Sequence, residues 1–403
     1  MKQRLTIVSA LLLSVIILFS CQHKEQDDVI FAICSFDNIA YFANNKGEMI
    51  FGKQFDFVGS FQEGLAYVVI NQKYGFIDKK GELIIPCIYD NADSFSEGLV
   101  SVKKNDKWGF IDKTGKVVIP FEYDDVIGFK NGYAKVCRIF SKWPDLKKRW
   151  GYINKSGDIV IPFNYGKVGM LSEGIVGVTS SDNNYDDKYG YINTNRENIT
   201  DFIYSVYGSK GYSEGLAAVG KPEHSDDSYI QHVAYGYIDT KGNEVIPCIY
   251  DQAEDFSEGF AAVELDMKWG FINKSGKQVV PLIYDWVEKF SEGFAAVNIN
   301  DKWGFVNQKG EQIVPCIYDC VWNFSEGLAP VELNDKWGYI DAKGKVVFPC
   351  VYDGALAFYK GYAEVYLRDF GYGVINKNNQ FVIPCSSPQH IVWRTISHYV
   401  SEE

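Results

Sequence analysis

The stretch Lys107-Trp108-Gly109-Phe110-Ile111-Asp112-Lys113-Thr114-Gly115-Lys116-Val117-Val118-Ile119-Pro120 recurs in variant form almost to the end of the chain. Self-similarity at a fixed period limits the available folds more tightly than any single residue, because each copy must be one structural module. The glycine after the Trp or Tyr marks the copies, at Gly75, Gly109, Gly151, Gly190, Gly236, Gly270, Gly304, Gly338 and Gly373. Their spacings are 34, 42, 39, 46, 34, 34, 34 and 35 residues. A further copy upstream lacks the aromatic-glycine pair: Lys46-Gly47-Glu48-Met49-Ile50 matches Lys80-Gly81-Glu82-Leu83-Ile84, again 34 residues on. Ten units result.

Within the unit Gly98 to Gly132, Leu99-Val100-Ser101-Val102-Lys103 reads as a strand and Asn105-Asp106 as a turn. Trp108 to Asp112 forms a second strand, with Trp108 and Phe110 on one face and Ile111 on the other. After the turn Lys113-Thr114-Gly115, a third strand runs from Lys116 to Ile119 and stops at Pro120, which cannot donate to a ladder. Phe121-Glu122-Tyr123-Asp124 then leads irregularly to Phe129. Helical periodicity is absent, so the expected class is all-β: about ten units of three short antiparallel strands, in an open or superhelical stack. A β-propeller-like ring, or a pair of rings split near residue 200, is the alternative. Ten blades exceed the usual number for one ring, and about 34 residues is short for four strands.

The copies can be compared with one another. Trp108 becomes Tyr74, Tyr189, Tyr235 or Tyr372, so an aromatic is needed but an indole is not. That favours packing over a sugar-stacking platform. Asp78, Asp112, Asp239 and Asp341 alternate with Asn154, Asn193, Asn273, Asn307 and Asn376. Catalysis or metal binding would not tolerate the amide, whereas an Asx turn accepts both. The constant glycine implies a position where a side chain would clash or φ is positive. In Ser-Glu-Gly the Glu becomes Asn131 and Lys360, again a turn signature. Cys87, Cys248, Cys316, Cys350 and Cys385 share one position with Phe121, Phe163 and Leu282, which marks it as apolar and packed.

Lys2 and Arg4 precede an apolar run from Leu5 to Phe19, too short for a membrane span and suited to a secretory signal over residues 1–20. Leu18-Phe19-Ser20-Cys21 resembles a bacterial lipobox, apart from Phe19, which makes Cys21 the expected lipidation site. Residues 21–38 read as a polar tether and the start of the array, 39–385 as the array, and 386–403 as a terminal cap or tail. The formal net charge of −12 becomes −14 without Lys2 and Arg4, which argues against nucleic acid as a partner.

Three consecutive units carry insertions in the same hairpin, near 137–149, 180–187 and 221–231. Insertions at one repeat position project from one face, often the binding face. The first is basic and aromatic, with Arg138, Lys142, Trp143, Lys147, Lys148 and Arg149, and is the candidate contact for an anionic protein or polysaccharide. The third holds His224 and His232 among carboxylates, a pattern that a solvated loop explains. No Ser/His/Asp or paired-Glu set stands outside repeat positions, so no catalytic residue, metal ligand or cofactor is assigned.

These residues resemble the WG-repeat proteins, also called KWG repeats, from about residue 40 to 385. The resemblance implies a β-rich array on an exported bacterial protein, with a role in binding or adhesion and no catalytic residues. The expectation is a lipid-anchored, non-enzymatic binding protein of the Gram-negative outer membrane, facing the periplasm or the cell surface. A structural spacer in an envelope complex and a carbohydrate-active hydrolase are the alternatives.

Overall fold

The computed structural model describes residues 30–35, 40–44, 46, 48–141, 147–180, 188–206, 209–222, 233–385 and 390–391. Cys21, Lys142, Trp143, His224 and His232 lie outside the described residues. Every regular element among those described is a β-strand, and the strands form ten small antiparallel sheets.

The third sheet shows the plan. Its strands are Asn91–Ala92, Leu99–Lys104, Lys107–Asp112 and Val117–Tyr123, hydrogen-bonded in chain order. The sequence reading missed the first strand, which is too short to show alternation and sits in the stretch taken as irregular. Four strands fit in 34 residues because the turns are minimal. Ser96 and Leu99 exchange backbone hydrogen bonds across Glu97-Gly98, and both central residues have positive φ, 55° and 87°. Asn105-Asp106 repeats that geometry at 52° and 63°. Such two-residue turns match the twist of the flanking strands. At the remaining turn Asp112 Oδ1 accepts from the amides of Thr114 and Lys116, and Asn154, Asn273 and Asn307 do the same in their sheets. The Asp/Asn alternation is therefore an Asx turn.

Neighbouring sheets pack face to face. Phe110 faces the fourth sheet, in a layer with Ile119, Tyr123, Val126, Phe129 and Val136. Ile111 faces the second sheet, with Phe76, Ile85 and Tyr89. The constant glycine is explained by crowding: a Cβ on Gly109 would lie 2.7 Å from the Ile119 carbonyl oxygen, where the last strand bulges between its pairings with Trp108 and Phe110.

Ten such layers connect the ten sheets, whereas an open stack of ten would have nine. The extra layer joins the ends: Phe31, Ile33 and Ala43 of the first sheet pack on Val374 and Ile383 of the tenth. Phe31 meets Tyr362 edge-on at 5.4 Å. The first sheet also takes its fourth strand, His390–Ile391, from the far end of the chain, with Cys34 opposite Ile391 and Ser35 opposite His390. The array is thus a single ten-bladed, propeller-like ring, the alternative architecture rather than the open stack. A split into two rings is ruled out near residue 200, where Tyr189, Tyr191 and Tyr204 of the fifth sheet pack on Tyr212, Ala217 and Val219 of the sixth. Among the described residues the fifth sheet has three strands.

Candidate functional site

Repeated polar residues hold the ring together. Asp90, from a Tyr-Asp pair, accepts from the Lys73 ammonium behind it and from the Asn105 amide of the next hairpin (2.8 Å). Asp285 repeats this with Lys268 (2.5 Å) and Asn300 (2.8 Å). Asp319 accepts from Lys302 and Asn334, and Asp353 from Lys336 and Arg368. The lysine partner in each case holds the carboxyl below the usual aspartate range. At the opposite end of the strands the Ser-Glu-Gly glutamate bonds the following sheet. Glu97 accepts from the Gly132 amide (2.9 Å) and pairs with Lys155 (3.0 Å); Glu63 does the same with Gly98 and Lys113. For both glutamates burial pushes the carboxyl up, but the lysine and backbone donors outweigh it and lower it. These carboxylates are staples between sheets, so a ligand site must come from residues that depart from the repeat.

One departure is the basic hairpin of the fourth sheet. Its strands Tyr133–Ile139 and Lys148–Asn154 are each one residue longer than those of the third sheet, and Phe140 N–H still bonds the Lys147 carbonyl (3.0 Å) beyond them. The guanidinium of Arg138 lies 5.1 Å from the ring centres of both Tyr123 and Phe163 and pairs with Glu122 at 2.8 Å. Arg149 donates to the Tyr165 carbonyl (2.9 Å). Lys147 and Lys148 are exposed at the base of the tip. Beside them Phe140 is 60% exposed, a residue that sequence reasoning passed over because the repeat supplies so many aromatics.

The second departure lies between the seventh sheet (strands from Gln252 to Tyr284) and the eighth (from Trp286 to Tyr318). A cavity of about 340 Å³ there is lined by Glu254, Asp255, Ala262, Trp269, Trp286 and Glu288, with Ser213, Ser257 and Lys289 alongside. Trp269 is 4% exposed and belongs to the layer between the sheets; Trp286 is 51% exposed. Their rings are 5.4 Å apart and inclined at 54°. Trp286 Nε1–H points to Glu288 Oε1 at 3.4 Å. Burial raises the Glu288 carboxyl above the usual glutamate range. Glu254 pairs with Lys210 of the sixth sheet. Sequence reasoning missed this site because its aromatics looked like two more repeat residues. The available signal was that Trp286 stands where six other units have Asn91, Asp125, Lys167, Gln252, Cys320 and Gly354.

A sequence profile described as WG containing repeat matches ten segments: 42–74, 74–108, 108–138, 150–185, 189–221, 235–269, 269–303, 303–337, 337–369 and 372–386. Comparison with curated protein sequences finds no match. Among solved structures, a eukaryotic initiation factor is similar over 91% of this chain and 98% of its own, with TM-score 0.52 and 10% identity, a likeness of fold alone. Saccharomyces cerevisiae Sqt1 (TM-score 0.32, 13% identity) covers 80% of this chain and 95% of its own. The V. cholerae biofilm matrix protein Bap1 (TM-score 0.29, 9% identity) covers 91% and 92%.

Proposed function

This chain belongs to the WG-repeat family, and from that premise we propose that it is an exported, lipid-anchored, non-enzymatic binding protein of the Gram-negative outer membrane. Its ring presents a binding face to an anionic protein or polysaccharide of the cell envelope. The observation that carries this reading is the placement of the enlarged hairpins. The fourth, fifth and sixth sheets are consecutive in the ring, and each has its insertion between the same two strands, so the three insertions leave the ring from the same end of the strands. Function collects on loops held by a rigid scaffold, and here the scaffold is cross-bonded by its own repeated carboxylates. Contact falls to Lys142, Trp143, Lys147 and Lys148, with Phe140 as an exposed apolar neighbour. Arg138 and Arg149 brace the hairpin from below. Long-range attraction of an anionic partner to this patch stands out against a negative molecule.

Retention on an immobilised sulfated polysaccharide, with heparin as the probe, tests the contact. The full chain is expected to bind at low salt and to elute as salt rises; Lys142→Glu, Lys147→Glu and Lys148→Glu together abolish retention. Retention unchanged by the triple reversal would overturn the assignment. For the anchor, Cys21→Ala is expected to move the protein from the membrane fraction to the soluble envelope fraction and to stop incorporation of a labelled fatty acid.

A further inference from the structure

We propose that the cavity between the seventh and eighth sheets binds an organic ammonium group, seated against the indoles of Trp269 and Trp286 and countered by the carboxylates of Asp255 and Glu288. This site is separate from the basic hairpin and does not depend on it.

The ring contains its own precedent. In the fourth sheet Lys135 lies directly across from Tyr152, and its ammonium sits 5.3 Å from the ring centre of Trp150. Trp150 and Trp269 are equivalent, each preceding the marker glycine. The residue equivalent to Lys135 in the seventh sheet is Ala262, across from Phe271. The fourth sheet thus fills the space over its repeat indole with an internal ammonium, whereas Ala262 leaves that space as part of the cavity. In the second sheet the same position is taken by Tyr67, whose ring lies 5.8 Å from Tyr74. Burial lowers the Lys135 ammonium to about 8, the cost of holding that charge against an indole without a carboxylate in contact. The seventh-eighth cavity adds what the Lys135 site lacks, a second indole and acidic groups.

The chemistry of the lining selects a cation over a neutral sugar. Ser213 and Ser257 commit their hydroxyl protons to the Phe256 carbonyl (2.7 Å) and the Phe290 carbonyl (3.0 Å). Glu254, Asp255 and Glu288 outnumber the ammonium groups beside them, Lys289 and the Lys210 partner of Glu254, so the lining keeps a net negative charge that attracts a cation and does nothing for a neutral sugar. An ammonium donates only, or in quaternary form relies on charge alone, and indole faces attract it. A metal ion is a poor fit, because no three His, Cys, Asp or Glu side chains converge as ligands among the described residues. The array does not require an indole at Trp286, since small and polar residues stand at that position in six other units and Phe57 in the second sheet.

Isothermal titration of the full chain with choline, n-butylammonium and the uncharged tert-butyl analogue of choline tests the proposal. At least one ammonium is expected to bind saturably in the millimolar range, with the uncharged analogue at least about tenfold weaker. A preference for choline points to a quaternary headgroup, and one for butylammonium to a lysine-type amine. Trp286→Ala and Glu288→Gln are each expected to weaken binding by about three- to thirtyfold while the melting temperature holds. Absence of saturable heat, equal binding of the uncharged analogue, or affinity unchanged in both variants would overturn it.

Discussion

At the scale of single residues, the repeat is conserved within the chain because a few positions have no alternative geometry. Gly109 is one: its φ is ordinary, and the constraint is the Ile119 carbonyl above it. Gly109→Ala is expected to destabilise by about 1–3 kcal/mol, read as a lower denaturant midpoint, since the obstacle is backbone and cannot rotate away. Glu97 is a different case. It holds a φ of 55°, unfavourable for a glutamate, while bonding Gly132 and Lys155. Asn tolerates that conformation better and stands at the equivalent Asn131. Glu97→Asn is therefore expected to lower stability less than Glu97→Ala, the latter by about 0.5–1.5 kcal/mol. Equal losses would show that the staple alone fixes the residue. The sequence comparison identified the Asx turns and the packed cysteine position, because substitutions there preserve a visible chemistry. It could not identify the staples, since Asp90 and Glu97 bond partners 15 and 35 residues away in the adjacent sheet.

At the scale of strands and sheets, stability depends on rows of carboxylates at both ends of the strands. Asp90, Asp285, Asp319 and Asp353 are held low by their lysines, and Glu63 and Glu97 by lysine and backbone donors that outweigh burial. A lowered carboxyl pKa adds stability that is fully present above the unfolded value and is lost as pH falls through the folded one. The melting temperature should accordingly be flat near neutrality and fall progressively below about pH 5, where the ordinary carboxyls of the unfolded chain begin to protonate. Raised salt at neutral pH should reproduce part of the loss, because the ion pairs are largely exposed. Strand directions, the turn chemistry and the alternation of Phe110 against Ile111 were legible from the pattern. The two-residue first strand was not, because Asn91–Ala92 has no periodicity and becomes a strand only by pairing with Lys103 and Val102. The cavity was illegible for a related reason: Ala262 and Trp286 are unremarkable alone and form a site only when two sheets meet.

At the scale of the whole molecule, closure distinguishes this array from an open solenoid. A unit of about 34 residues with one buried layer on each side has no intrinsic end, so nothing in its periodicity chooses between stack and ring. The choice is made by residues outside the repeat pattern, namely the apolar Phe31 and Ile33 before the first recognisable unit and the strand His390–Ile391 after the last. That arrangement couples the two ends of the chain. Phe31 is 1% exposed, and Phe31→Ala is expected to cost about 3–5 kcal/mol locally. In a ring the loss must appear on both sides of the seam: amide exchange should accelerate in Ala40–Ala43 and equally in Tyr362–Leu367 and Gly371–Asn376, more than 300 residues downstream, while the seventh and eighth sheets keep their protection. In an open stack, Phe31→Ala would disturb only its own end. Exchange confined to the first two sheets would therefore contradict closure, and with it the rigid frame on which both proposed binding sites rely.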